Sequence, residues 1–226
     1  MIHLYLKGCD NIFNNQYIRY GFIQGDGGLG RLKSKEHLGL EVNIGKNDYD
    51  ILPLFCINPR EYADRKIYYT GENQNLKNLG FSSEKLPNRV LPTSYNQWNN
   101  DKKLSFLRGL WSANGSVIRV KNKTKNGDIK ISCRISFKGT CKKLIEQLKV
   151  ELKTLGLNPY YTTNKPKKVK FSNGEYLCKE SYDLNLGRIK EIEWFMKNIG
   201  FVQNYKIEKY YSILNNKTKG ENNYEK

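Results

Sequence analysis

Asp26 and Asn114 occupy the same place in a phrase that the chain spells twice, RYGFIQGDGGLG at 19–30 and LRGLWSANGSVI at 107–118. Apolar residues recur at helical spacing in both settings, Ile12, Phe13, Ile18, Phe22 and Ile23 in the first and Leu104, Phe106, Leu107, Leu110 and Trp111 in the second. Each phrase therefore reads as a helix that ends at its own acidic or amide residue. A carboxylate at a helix C-terminus sits where the dipole already presents negative charge, which is a poor place for stability. A bound divalent cation would offset that cost, and hard oxygen ligands suit Mg2+. Two carboxylates at a pseudo-twofold axis could hold metals for in-line displacement at phosphorus. A turn-forming role for Asp26 is the competing reading.

What could bring the two ends together is also repeated. Gly21 and Gly25 lie four apart in the first phrase, and Gly109 and Ala113 do so in the second. Each helix thus carries a stripe without bulky side chains, which lets two backbones come close. Glycine inside a helix costs about 1 kcal/mol relative to alanine, so close packing of two halves is the better account of Gly21 and Gly109. Gly27 and Gly115 read as helix ends.

The elements around the phrases repeat as well. Asn100 or Asp101 is the expected N-cap of the second helix. After it, SVIRVKNKTKNGDIKISCRISF alternates on both sides of Asn126-Gly127, the signature of a hairpin. TCKKLIEQLKVELKTLG places Leu144, Ile145, Leu148, Leu152 and Leu155 on one helical face. A second pair of strands is expected over 158–186, then a helix in RIKEIEWFMKNIG and another in FVQNYKIEKYYSIL. The first half follows the same order: a short hairpin in GLGRLKSKEHLGLEVNIG, a helix in KNDYDILPLFC, a strand in EYADRKIYYTG and a closing helix in NQNLKNLGFSSEKL. The expectation is an α+β tandem duplication, with a first half over 1–90, a linker over 91–100, a second half over 101–215 and a polar, frayed tail over 216–226.

The 39 Lys and Arg against 22 Asp and Glu leave a net charge of +17 in 226 residues, an imbalance that favours a polyanionic partner, with nucleic acid foremost. Five cysteines, at 9, 56, 133, 141 and 178, form no C-x-x-C pair, and His3 and His37 are the only histidines. This excludes a readable zinc cluster or disulfide framework and places the chain in a reducing, intracellular compartment, the cytoplasm or an organelle. No signal peptide and no membrane-length apolar run can be read, so no membrane partner is expected.

A two-stranded ribbon can enter the major groove and read base edges with one face. Candidates in the first half are Arg31, Lys33, Lys35, Glu41 and Asn43; those in the second are Arg119, Lys121, Lys123, Lys130, Ser132, Arg134 and Ser136. Lys165, Lys167, Lys168 and Lys170 in the loop NKPKKVK suit phosphates, which position a protein on a duplex without reading sequence. For any single lysine a solvated face is the safer reading; as a set on hairpins they favour DNA.

RYGFIQGDG and LRGLWSANG, each ending an apolar helix and each followed by a strand, resemble the two signature helices of the LAGLIDADG homing endonucleases in their single-chain, two-motif form. The likeness spans roughly residues 10 to 213, because LKNLGFSSEKL and MKNIGFVQNYK also look like that family's closing segments. It implies paired αββαββα halves whose saddle-shaped antiparallel sheets straddle duplex DNA, in a monomer with internal pseudo-twofold symmetry. It also implies metal-dependent cleavage of both strands at a long specific site, as in intron-encoded mobile elements. The implied metal set is Asp26, Gly25, Asn114 and Ala113, holding Mg2+, for which Ca2+ or Mn2+ can substitute. Lys206, with Lys85 as its counterpart, is the implied catalytic lysine, acting on the scissile phosphate or on water beside Asp26 and Asn114. Asn114 departs from the pattern: it keeps the shape of aspartate but lacks the charge that holds a cation. The departure fits lost cleavage, nicking of one strand, or a substitution introduced to trap an uncut complex. Two other functions compete with an impaired endonuclease: a non-cleaving sequence-specific DNA-binding protein and an RNA maturase for intron splicing. Intein splicing is disfavoured because the chain starts at Met1 and lacks a terminal His-Asn.

Overall fold

The computed structural model describes residues 15–31, 38–55, 60–61, 65–70, 73–81, 89–123, 126–171 and 174–221, and structural statements below concern these residues. The first half runs α1 (Gln16–Asp26), β1 (Gly27–Arg31), β2 (Leu38–Gly45), a 3-10 helix (Lys46–Phe55), β3 (Arg60–Glu61), β4 (Arg65–Thr70) and α2 (Asn73–Asn78). The second runs α3 (Asn100–Asn114), β5 (Gly115–Lys123), β6 (Ile129–Gly139), α4 (Lys142–Thr154), β7 (Tyr160–Asn164), β8 (Lys167–Phe171), β9 (Gly174–Cys178), β10 (Ser181–Leu186), α5 (Ile189–Asn198) and α6 (Asn204–Glu221). Two four-stranded antiparallel sheets, β1-β2-β4-β3 and β5-β6-β10-β7, share one connectivity, and β8 and β9 form a separate ribbon.

The local chemistry accounts for these elements. Gly27 and Gly115 open strands directly at the ends of α1 and α3. Gly127 takes φ +92° in the β5–β6 turn, as an Asn-Gly hairpin requires. The cap of α3 is Asn99, one residue before the expected Asn100 or Asp101, and its Oδ1 accepts from the Lys102 N–H at 3.0 Å. EYADRKIYYTG holds the expected strand as β4, and a two-residue strand, β3, pairs with it from Arg60–Glu61. The stretch 158–186 holds four strands where two were expected, because Lys165 and Pro166 interrupt the long hairpin and proline cannot donate to a ladder. α6 continues past Asn215 to Glu221.

The core forms where α1 crosses α3. A Cβ on Gly21 would lie 1.9 Å from the Phe106 carbonyl oxygen, and one on Gly109 would lie 1.8 Å from that of Ile18. Each glycine thus faces the other helix's backbone, and the small-residue stripes are a steric requirement. Phe106, Leu107, Leu110 and Trp111 of α3 are fully buried; Trp111 packs on Phe137 at 4.9 Å and on Phe195 at 5.7 Å. The connection between the halves is packed too, since Leu91, Tyr95 and Trp98 are buried around a 3-10 turn at Thr93–Gln97. No described helix is long and apolar enough to cross a membrane.

Candidate functional site at the helix seam

The last carbonyls of any helix lack intrahelical partners. Side chains fill that need at the shared end of α1 and α3. At the α1 end, Arg89 Nη1 donates to Gln24 O at 2.9 Å and to Ile23 O at 3.5 Å, and Asn114 Nδ2 donates to Gly25 O at 3.0 Å. At the α3 end, Ser112 O accepts from Gln203 Nε2 and from Lys206 Nζ, both at 2.6 Å. Asp26 and Asn114 close their helices at this one place, so the structure brings the two motif residues and Lys206 together around one seam.

Charge at the seam is tightly coupled. The surrounding protein desolvates the Asp26 carboxylate, although it reaches solvent, and pushes its pKa up; Asp48 adds to this, while Lys206 and Arg89 oppose it. Lys206 is only 6% exposed, and burial pulls its ammonium down to about 8 against the opposing pull of Asp48, Asp26 and Asp50. Burial also lowers Arg89, which Asp26 helps keep charged. The Phe201 and Tyr205 rings lie 5.4 and 5.7 Å from the Lys206 ammonium. Beside α3, Asn114, Ser116, Lys138, Tyr205, Lys206 and Lys209 line a cleft of about 430 Å³. Three lysines around one cleft suit a phosphate.

The same residues limit what a metal could use. Gly25 O already accepts the Asn114 amide, and Ala113 belongs to the seam through its methyl, which would meet a Cβ on Gly25 at 2.5 Å. Among the described residues, no group of three or more His, Cys, Asp or Glu is placed to hold a metal ion. The described donors therefore offer a single carboxylate, Asp26, and do not fit a symmetric pair of cations shared with position 114.

Strand register sorts the candidate base readers. β5 pairs β6 with Ser116 opposite Ser136, Ile118 opposite Arg134, Val120 opposite Ser132 and Asn122 opposite Lys130, so Lys130, Ser132, Arg134 and Ser136 share one face. Arg119, Lys121 and Lys123 fall on the other face, in line with buried Val117 and past the edge of the core. The register thus does not bring this set together. The β6–β10–β7 register extends the first face through Lys138, Asp183, Asn185 and Thr162. On it, Arg134 Nε is buried without a hydrogen bond, and Asp183 Oδ2 accepts from Asn164 Nδ2 at 2.9 Å. Lys165, Lys167, Lys168 and Lys170 are exposed at and along the β8–β9 ribbon. Of Arg31, Glu41 and Asn43 only the strand backbone is described; Lys33, Lys35 and Lys85 lie outside the described residues.

Sequence reasoning missed Arg89, Gln203, Asp48, Asp50 and Lys138. Lys138 continues the alternation of Arg134 and Ser136 and could have been read from it. The others reach the seam from segments distant in sequence, and nothing local marks them.

Residues 101–200 match the family of LAGLIDADG-like domains. Comparison with curated proteins gives no match. Among solved structures, the LAGLIDADG meganuclease I-AabMI bound to uncleaved DNA is similar at TM-score 0.56 and 10% identity, over 92% of each chain. The homing endonuclease I-WcaI bound to its DNA recognition sequence is similar at TM-score 0.53 and 16% identity, over 85% of this chain and 84% of that one. I-SmaMI bound to an uncleaved DNA target with calcium ions is similar at TM-score 0.52 and 13% identity, over 92% of each. The α+β fold with antiparallel sheets is thus that of the single-chain LAGLIDADG proteins, to whose domain model residues 101–200 are similar.

Proposed function

We propose that this LAGLIDADG-type chain is a site-specific double-stranded DNA endonuclease whose hydrolysis is impaired by the amide at Asn114. The observation that carries this reading is the meeting of Asp26, Asn114 and Lys206 at the shared end of two helices, each of which leads directly into an antiparallel sheet. The sheets' polar faces would lie along the duplex, with Lys130 and Arg134 on the face that would meet base edges and the exposed lysines of β8 on phosphates. The seam would then face the strands near the middle of a long site.

In this reading Asp26 is the carboxylate that holds a divalent cation, Mg2+ by its preference for hard oxygen. Such an ion supplies charge neutralisation at the phosphate and an acidified water. Lys206 presents a buried ammonium, hydrogen-bonded to Ser112 O, to the same cleft as Lys138 and Lys209, where it would stabilise negative charge on the scissile phosphate. Asn114 directs its amide N–H groups inward to Gly25 O, so the second metal-binding carboxylate is replaced by a neutral donor. That hydrogen bond also favours a second reading, a sequence-specific DNA-binding protein that no longer cuts.

The test challenges the chain and its Asn114→Asp variant with a supercoiled library of candidate sites and Mg2+, scoring nicked and linear product. Linear product from the aspartate variant alone is the expected result. Tight, specific binding without cleavage by either protein would move the assignment to the DNA-binding reading.

A further inference from the structure

α6 carries Lys206 near its start, yet the sequence before it offers no good cap. Gln203 stands at the N-cap position, its carbonyl accepting from the Lys206 and Ile207 N–H groups at 3.2 and 3.4 Å, and glutamine is not among the residues that cap well. The missing acceptor arrives from the other half. Asp50, in the 3-10 helix Lys46–Phe55, accepts from the Asn204 N–H through Oδ2 at 2.7 Å, across 154 positions of sequence. Two residues earlier, Asp48 accepts from Gln203 Nε2 at 3.0 Å, and the same Gln203 Nε2 reaches Ser112 O. Val202 N donates to the Ser112 hydroxyl at 2.9 Å, which ties the approach to α6 to the end of α3.

We infer that Asp48 and Asp50 of the first half are positioning residues for Lys206 of the second, clamping the N-terminus of α6 so that its ammonium lies on Ser112 O at the seam. A carboxylate at a helix N-terminus meets both the unpaired N–H groups and the positive end of the dipole, so the clamp is favourable in charge as well as geometry. Gln203 is 1% exposed, which keeps water from replacing Asp48 as its partner. The clamp runs between the halves, so the lysine of one half reaches its place only when the other half is folded against it. Its importance for cleavage rests on the role proposed for Lys206; the positioning itself does not.

The test therefore reads the lysine directly, without DNA or metal. The full chain and its Asp48→Ala, Asp50→Ala and Asp50→Asn variants are treated briefly with an amine-acylating reagent, and labelling at each lysine is followed by mass spectrometry. Lys103, half-buried at the opposite end of α3 and paired with Glu151, reports general loosening. The alanine variants should label Lys206 about tenfold faster with Lys103 unchanged, as local release of a capped helix start would produce. Asp50→Asn should label Lys206 clearly more slowly than Asp50→Ala, because both remove the same charge but asparagine still accepts a backbone N–H. Unchanged Lys206 labelling in folded alanine variants would overturn the assignment, and so would a parallel rise at Lys206 and Lys103.

Discussion

The two ends of the seam are built on one plan and charged differently. At the end of α1 the chain keeps a carboxylate, Asp26, and lays a buried arginine, Arg89, across the last carbonyls. At the end of α3 it has an amide, Asn114, and satisfies Ser112 O with Gln203 and Lys206. The backbone symmetry survives because Asn and Asp share a shape. The electrostatic symmetry does not, because an amide N–H can donate to Gly25 O and a carboxylate cannot. Packing and chemistry at one place are therefore separable: glycines enforce the first, and titratable groups decide the second.

The strongest way to break the comparison is to attack what the two ends share. Gly109→Ala puts a methyl 1.8 Å from the Ile18 carbonyl oxygen, and backbone cannot swing aside as a side chain can. The predicted loss is about 3 kcal/mol or more in urea unfolding. Gly25→Ala meets the Ala113 methyl instead and should cost less. If the two variants prove equally stable, the seam is not held by backbone contact at Gly109.

A smaller effect should sharpen the charge difference. Asn114→Asp replaces the donor to Gly25 O with a second carboxylate, which needs a cation. The parent melting temperature is predicted to move by less than about 1 °C between chelator and millimolar Ca2+, whereas that of the variant rises by about 5 °C. A parent that gains as much as the variant would mean that Asp26 alone makes a strong cation site.

The smallest predicted effect concerns Asp26 itself. Its folded pKa is raised above the ordinary 3.8, so the charged form is disfavoured by folding. Such a group supports the fold fully below 3.8 and loses that support as pH rises through its folded pKa. Asp26→Asn should therefore stabilise the metal-free protein at neutral pH, by about 0.5 kcal/mol once solvent screening is allowed for. Below pH 3.8 the two proteins should unfold alike. Destabilisation at pH 7 in chelator would show that Asp26 forms a favourable pair with Arg89 and Lys206.

Features with a short period were legible in the sequence. The motif helices, the Asn126-Gly127 hairpin, α4 and α5 follow from apolar spacing and turn chemistry within a few residues. The close approach at Gly21 and Gly109 was legible from two glycines placed where a helix gains nothing from them. Asp48 and Asp50 were not, because they look like two ordinary acids in an amphipathic stretch until α6 arrives from 154 positions away. The face of the β5–β6 hairpin was misjudged for a simpler reason. Antiparallel register places Ile118, not Arg119, beside Arg134, and alternation within each strand does not reveal the pairing between strands.

The stretch from Arg89 to Trp98 adds one more consequence. Flexible tethers join two units by setting an effective concentration and tolerate insertions at little cost. This stretch instead lies within the protein. Val90 O accepts from Gln24 of α1, the Leu91 N–H donates to Gln147 of α4, and the rings of Tyr95 and Trp98 lie 5.5 and 5.4 Å from that of Phe106 of α3. A nick or insertion here would open the core rather than loosen a leash. The connection is thus part of the core that it joins.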